Sequence, residues 1–198
     1  MVRENLEIGR QIIHLLVGIL IISMLLIIDK PIVLTILLIF FLIAIFLSIL
    51  SIYLKIPFLT KILSNFERDH NKQFPGKGFI FFLAGAMLVI KIFPQNIALV
   101  SLVVLTFGDS VSTLAGFFGG QYRRDPFNRY KSIYGTLLGM LVAFLIGMLF
   151  VNPIESFIAS FFGMFAEAVS IKLGEQEADD NLIVPLAAGT ALYLFRLL

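Results

Sequence analysis

Long apolar runs alternate with short polar breaks along the chain. The runs lie near residues 8–28, 31–52, 78–93, 95–117, 132–151, 153–171 and 182–197. About 20 apolar residues cross a bilayer as a helix, so each run is a candidate span. The runs from 78 and from 182 are short, and their ends are the least defined. Asp29-Lys30-Pro31 predicts a tight turn, because proline opens a helix well and ends one badly. Phe93-Pro94 and Asn152-Pro153 punctuate the chain in the same way. There is no heptad, solenoid repeat or low-complexity tail.

Composition turns this pattern into a class. Of 198 residues, 59% are hydrophobic and 14% charged, with a mean hydropathy of +1.00. A water-soluble domain of this size needs more polar surface. The expected fold is therefore all-α, a single transmembrane domain over residues 1–198 with about seven transmembrane helices. The first run carries Arg10 and His14 in its opening turns and shows no small-residue cleavage site, so it reads as a span rather than a removable signal. The chain has no Cys, which excludes disulfides and thiolate metal sites.

Charge adds an orientation. Seven spans place the N-terminus and the loops 53–77, 118–131 and 172–181 on one face. Of the 15 Lys and Arg residues, only Lys30, Lys91 and Arg196 lie on the other. The positive-inside rule then puts the N-terminus and the long loops in the cytosol. Anionic lipid headgroups account for many of these cations. A net charge of +2 is too small to suggest nucleic acid as a partner.

Three ionisable residues fall inside the runs. Asp109 lies 14 residues after Gln95, and Glu167 lies 14 after Pro153. At about 1.5 Å per residue, both reach roughly 21 Å into a core of about 30 Å. His14 sits roughly 9 Å in from the opposite direction. All three share one layer in the cytosolic half, where charged groups normally face a cavity or a partner. Singly, His14 also reads as an interhelical hydrogen bond, and Glu167 as a solvated residue near the interface. Asp109 is flanked by Gly108, Ser110, Ser112, Thr113 and Gly116. Positions 109, 112, 113 and 116 share a helix face. Small residues there suit close packing or leave room for a metal ion and phosphate oxygens.

The following stretch, F-F-G-G-Q-Y-R-R-D-P-F-N-R-Y-K-S-I-Y-G-T-L-L-G over 117–139, adds paired Gly, four cations and a helix start at Lys131-Ser132. Flexible backbone, a helix N-terminus and cations together suit a phosphate. Gly135 and Gly139 make a smooth stripe for close packing or for a prenyl chain. Pro75-Gly76-Lys77-Gly78 repeats the flexible, cationic helix start, and reads equally as an ordinary membrane-flanking loop. Glu175, Glu177, Asp179 and Asp180 form an acidic cluster that also suits a solvated loop. Asp180-Asn181 before the last run offers oxygens for Mg²⁺ beside a phosphate. P-loop, protein-kinase, G-x-S-x-G and H-E-x-x-H motifs are absent.

Together these motifs resemble the CTP-dependent polyprenol and dolichol kinase family, which includes phytol and farnesol kinases and the CTP-dependent diacylglycerol kinase. The matching residues are Gly108-Asp109-Ser110, Gly116, Lys131-Ser132, Gly135-Thr136, Glu167 and Asp180-Asn181-Leu182 with Pro185. Arg10-x-x-x-His14-x-x-x-Gly18 resembles the opening motif, and Pro75-Gly76-Lys77-Gly78 the middle loop. Phe117 stands where the family often has Arg or Lys, and Tyr134 where it often has Glu.

The resemblance implies a kinase with CTP as phosphate donor and a membrane lipid alcohol as acceptor, working at the cytosolic face of a prokaryotic plasma membrane or an ER-type membrane. On this reading Mg²⁺ is held by Asp109 and by Asp180 or Asn181. Lys131, Arg123, Arg124 and Lys77 offset phosphate charge, with Gly119, Gly120, Ser132 and Gly78 completing nucleotide binding. Glu167 or His14 takes the hydroxyl proton. Two other readings use similar parts: a CTP-dependent cytidylyltransferase acting on a lipid phosphate, and an ion-coupled transporter. A non-catalytic scaffold would not need three ionisable groups at one depth.

Overall fold

The chain is described by a computed structural model that covers residues 2–54, 75–119, 132–169, 172–173 and 176–198. Within these residues it folds into seven helical rods: α1 (Val2–Ile27), α2 (Lys30–Leu54), α3 (Lys77–Ile92), α4, α5 (Ile133–Gly147), α6 (Pro153–Ala168) and α7 (Asp180–Phe195). The rod α4 is composite. Gln95–Val103 and Asp109–Phe118 are α-helical, and Val104–Gly108 between them is a π-helical turn. Strands β1 (Lys172–Leu173) and β2 (Gln176–Glu177) pair antiparallel between α6 and α7. This short hairpin falls where the sequence reads as a loop.

The prolines act as expected. Phe93, held extended by Pro94, stops α3. Asn152 accepts from the Glu155 N–H at 3.0 Å, and Pro153 takes the first helical position. Gly76 adopts a left-handed φ of 83° to turn the chain into α3, a conformation that costs a glycine little.

Among the described residues, three helical stretches are long and apolar enough to cross a membrane: Glu7–Ile27, Lys30–Tyr53 and Gln95–Phe118. Two of the other rods, α5 and α6, are shorter than the apolar runs that contain them. The run 132–151 ends its helix at Gly147, because Met148–Val151 fold back as a turn, with the Phe150 N–H on Gly147 O at 2.9 Å. The run 153–171 ends its helix at Ala168.

The rod α4 is the hub. Residues 97–106 are all buried, and α1, α3, α5, α6 and α7 pack around it. Apolar side chains such as Phe40 and Phe46 on α2 and Leu137 and Leu141 on α5 stay exposed. Exposed apolar surface on apolar helices marks an integral membrane protein.

The helix ends gather in two layers. In one, Lys30 Nζ donates to Phe93 O at 2.6 Å and Gln95 Nε2 to Leu25 O at 2.7 Å. Arg196 also forks onto the Glu155 carboxylate there, at 2.7 and 2.9 Å. The opposite layer holds His14, Asp109, Glu167 and the start of α7.

Candidate functional site

The site begins with the π turn. The Asp109 N–H reaches Val104 O, five residues back, where an α-helix reaches four. One extra residue turns the face of everything beyond it by about 100° relative to a straight helix. Packing accompanies the change on two sides. A Cβ on Gly18 of α1 would strike the Thr106 side chain, and one on Gly163 of α6 would meet Val104 Cγ1 at 2.6 Å. The His14 Nε2 lies 3.1 Å from Leu105 O, inside the turn. A carbonyl only accepts, so this contact assigns a proton to Nε2.

The same Nε2 is 4.0 Å from Asp109 Oδ2, with the two side chains only 12% and 9% exposed. Phe82 of α3 stands edge-on to the imidazole, with centroids 4.4 Å apart. One turn past Asp109, the Ser112 hydroxyl donates to Glu167 Oε1 at 3.0 Å. Glu167 is wholly buried. The three ionisable residues therefore meet across α1, α4 and α6, His14 with Asp109 directly and Glu167 through Ser112.

The glycine stripe of α5 closes on α4. A Cβ on Gly135 would collide with Ser112 O, and one on Gly139 with Gly108 O. Of the two readings of this stripe, the structure takes close packing. Gly116 completes the seam, against Ser132. Ser132 caps α5, its hydroxyl 3.5 Å from the Gly135 N–H.

The helix α3 also meets α7. Asn181 Nδ2 donates to Gly78 O at 3.3 Å and to Asp179 Oδ1 at 3.0 Å. Both partners are acceptors, so Oδ1 faces the other way. That atom is buried and has no hydrogen-bond partner among the described residues. The main-chain carbonyl of Asn181 also lacks its usual helical donor, since residue 185 is proline. It lies so close to Gly85 that a Cβ there would collide with it. The same helix therefore carries both Gly78, which meets Asn181, and Phe82, which meets His14. Lys77 lies with its ammonium 5.5 Å from the centre of the Phe81 ring.

Asp179 caps α7 by accepting from the Asn181 N–H at 3.1 Å. Burial pushes its carboxyl above the ordinary range, against the pull of its hydrogen bonds from Asn181. A raised native value means that the folded chain binds the proton more tightly. Asp179 therefore costs stability as pH rises from the unfolded-state value towards the native one. Asp179→Ala is expected to lower stability by about 1 kcal/mol, seen as a lower Tm. Asp179→Asn keeps the acceptor and sheds the buried charge, so it should raise Tm at neutral pH and flatten the fall from acidic pH.

Gly120, Arg123, Arg124 and Lys131 lie outside the described residues, and Gly119 ends α4. Asp180 opens α7 beside Asn181. Among the described residues no three His, Asp or Glu side chains gather as a metal cage. Ser112, Phe82 and the Leu105 carbonyl are site components that the sequence did not single out for these contacts. Only the small-residue face shared by 109 and 112 signalled one of them.

Fold and site together define a multi-helix membrane protein with a buried carboxylate–histidine layer at one end of its bundle. An uncharacterized protein of Methanocaldococcus jannaschii, MJ1137, is 34% identical over 181 residues, which cover 90% of this chain and 88% of that one. The chain belongs to the family of that archaeal protein. It is also 29% identical over 134 residues to CTP-dependent diacylglycerol kinase 1 of Schizosaccharomyces pombe, covering 59% of each chain. The match spans about three fifths of that kinase's length. No family model matches the chain, and no solved structure does.

Proposed function

We propose that the protein is a CTP-dependent lipid kinase that phosphorylates a hydroxyl of a membrane lipid. The observation that carries this reading is the meeting of Asp109, His14 and, through Ser112, Glu167 at one depth in a helical membrane protein. Similarity to a CTP-dependent diacylglycerol kinase supports the donor and the acceptor class. The order of motifs supports a polyprenol or dolichol-type acceptor. Diacylglycerol is the second reading, favoured by the name of the yeast relative. In the proposed topology all seven rods cross the membrane, with the N-terminus and the site facing the cytosol, in line with the distribution of Lys and Arg.

In the reaction, the lipid hydroxyl oxygen attacks the γ-phosphorus of CTP in line. A new O–P bond forms, the bond to the β–γ bridging oxygen breaks, and CDP leaves. The hydroxyl proton passes to Glu167 or to His14, whose ring is held at Leu105 O. Lys77, Lys131, Arg123 and Arg124 offset phosphate charge. Asp109, Asp180 and Asn181 would hold Mg²⁺, and the buried Asn181 Oδ1 fits that role. A set of one or two carboxylates is usual for this ion, the phosphate supplying further oxygens. When bound, it would neutralise the nucleotide phosphates.

The test is transfer of label in detergent with Mg²⁺ and a panel of lipid alcohols that includes diacylglycerol. Label from the γ-position of CTP is expected in the lipid, and the panel names the acceptor. Label from the α-position would make the protein a nucleotidyl transferase. No transfer by folded protein would leave the ion-coupled reading.

A further inference from the structure

The reaction above leaves Gln11 and Thr113 without a task. Three contacts set how α1 lies along α4. Gln95 Nε2 donates to Leu25 O at 2.7 Å, and Gly18 stands against the Thr106 side chain. His14 Nε2 lies 3.1 Å from Leu105 O and 4.0 Å from Asp109 Oδ2. Numbers fall along α1 as they rise along α4, so the two rods run antiparallel. Gln11, Gly18 and Leu25 are spaced two helical turns apart and share the buried face of α1. The next step of this register sets Gln11 opposite Thr113, which lies one turn past Asp109 on the same face.

Gln11 is 2% exposed. Its Nε2 donates to Glu7 Oε1 at 3.3 Å, and Arg10 Nη2 donates to the same oxygen at 2.5 Å. That oxygen is an acceptor, so the amide presents its NH₂ to Glu7 and turns Oε1 away. Gln11 Oε1 and Thr113 Oγ1 are both buried, and neither has a hydrogen-bond partner among the described residues. The two atoms therefore do not bond each other, although the register brings their residues to one level. Nor does Thr113 use the carbonyl one turn back, a common outlet for a helical threonine. Buried polar atoms left unpaired cost stability, so each calls for an explanation.

The chemistry of the two atoms narrows the ligand. Gln11 Oε1 can only accept, so it takes a donor and repels a phosphate oxygen. Thr113 Oγ1 donates or accepts. A hydroxyl group satisfies both at once, giving its hydrogen to Gln11 and accepting that of Thr113. We propose that Gln11 and Thr113 form a hydroxyl-binding pair beside His14 and Asp109, with Glu7 holding the amide in the receiving orientation. The inference rests on the reading that this layer receives a nucleotide and a lipid alcohol. Either one supplies such a group, the nucleotide from its ribose and the lipid from its acceptor end.

The experiment measures binding to the full chain in detergent, by calorimetry, of ligands that differ only in a hydroxyl. CTP is set against 2′-deoxy-CTP and 3′-deoxy-CTP, and dioleoylglycerol and geranylgeraniol each against its methyl ether. The unaltered chain is expected to prefer the hydroxyl form in one arm by about tenfold. Thr113→Val and Gln11→Met should remove most of that preference, and Thr113→Ser should keep it. Thr113→Val exchanges an unpaired hydroxyl for a methyl group of similar size, so its Tm without ligand should be unchanged or higher. A preference in the nucleotide arm assigns the pair to the ribose, and one in the lipid arm to the acceptor. A preference absent from both arms, or retained by both variants, overturns the proposal. So does a lower Tm for Thr113→Val, the mark of a hydroxyl already bonded to a buried water. A preference that the variants lose, without label transfer from CTP, upholds the pair while the kinase reading fails. Label transfer with the same preference in every variant does the reverse.

Discussion

Asp109→Asn is expected to reduce phosphate transfer from CTP by about 10³-fold, the scale seen when one preorganised electrostatic contact is removed. The amide has nearly the same shape as the carboxylate, so packing beside His14 and the π turn should survive. His14 keeps its bond to Leu105 O, which does not involve Asp109. What disappears is a negative charge at a side chain 9% exposed. Burying a charge in this setting costs free energy that function has to justify. The variant should therefore insert normally and unfold at the same temperature or higher. The measurement is label transfer from γ-labelled CTP set beside thermal unfolding in detergent. Turnover near the wild-type rate, in protein of unchanged Tm, would remove Asp109 from the reaction.

Gly139→Leu is expected to have the largest effect on stability. Its Cβ would collide with Gly108 O and meet Met164 Cε at 2.8 Å and Ser112 Cβ at 2.9 Å. Methionine can yield. The carbonyl cannot, because it belongs to the turn that carries Asp109. Overpacking of this kind costs about 3 kcal/mol, which for a chain of this size lowers Tm by about 6–12 °C. Transfer should fall as well, since α4 must shift where Ser112 holds Glu167. Gly9→Ala on α1 is the contrast. Nothing lies within 4 Å of its Cβ position, so the better helix former should raise stability by up to about 1 kcal/mol. Equal Tm values for the two variants would mean that α5 does not close on α4 as described.

Much of the site was legible because it depends on residue type and spacing. Three ionisable groups in apolar runs announced a shared polar layer, and helical rise alone put them at one depth. Their pairing was not legible. His14 meets Asp109, but Glu167 is met by Ser112, a residue that spacing could place on the right face without naming its partner. Asn181 stood out as a metal ligand from its place before the last run. That its amide also ties α7 to Gly78 of α3 depends on a contact 103 residues apart in sequence. The loop cations Arg123, Arg124 and Lys131 were the clearest phosphate signals in the chain, and they lie outside the described residues.

The sequence by itself determined the helical membrane character, the proline-marked breaks between rods and the residues worth a test. Hydropathy, proline and capping act within a few residues, so they can be read along one strand of text. Tertiary structure alone decided the π turn at Val104–Gly108, the closing of the Gly135–Gly139 stripe and the ends of the shorter helices. The turn has no local code: its register is set jointly by Thr106 against Gly18, Val104 against Gly163 and His14 on Leu105 O. A glycine stripe is equally smooth whether it faces a lipid chain or another helix, and only the approach of α4 chose between them.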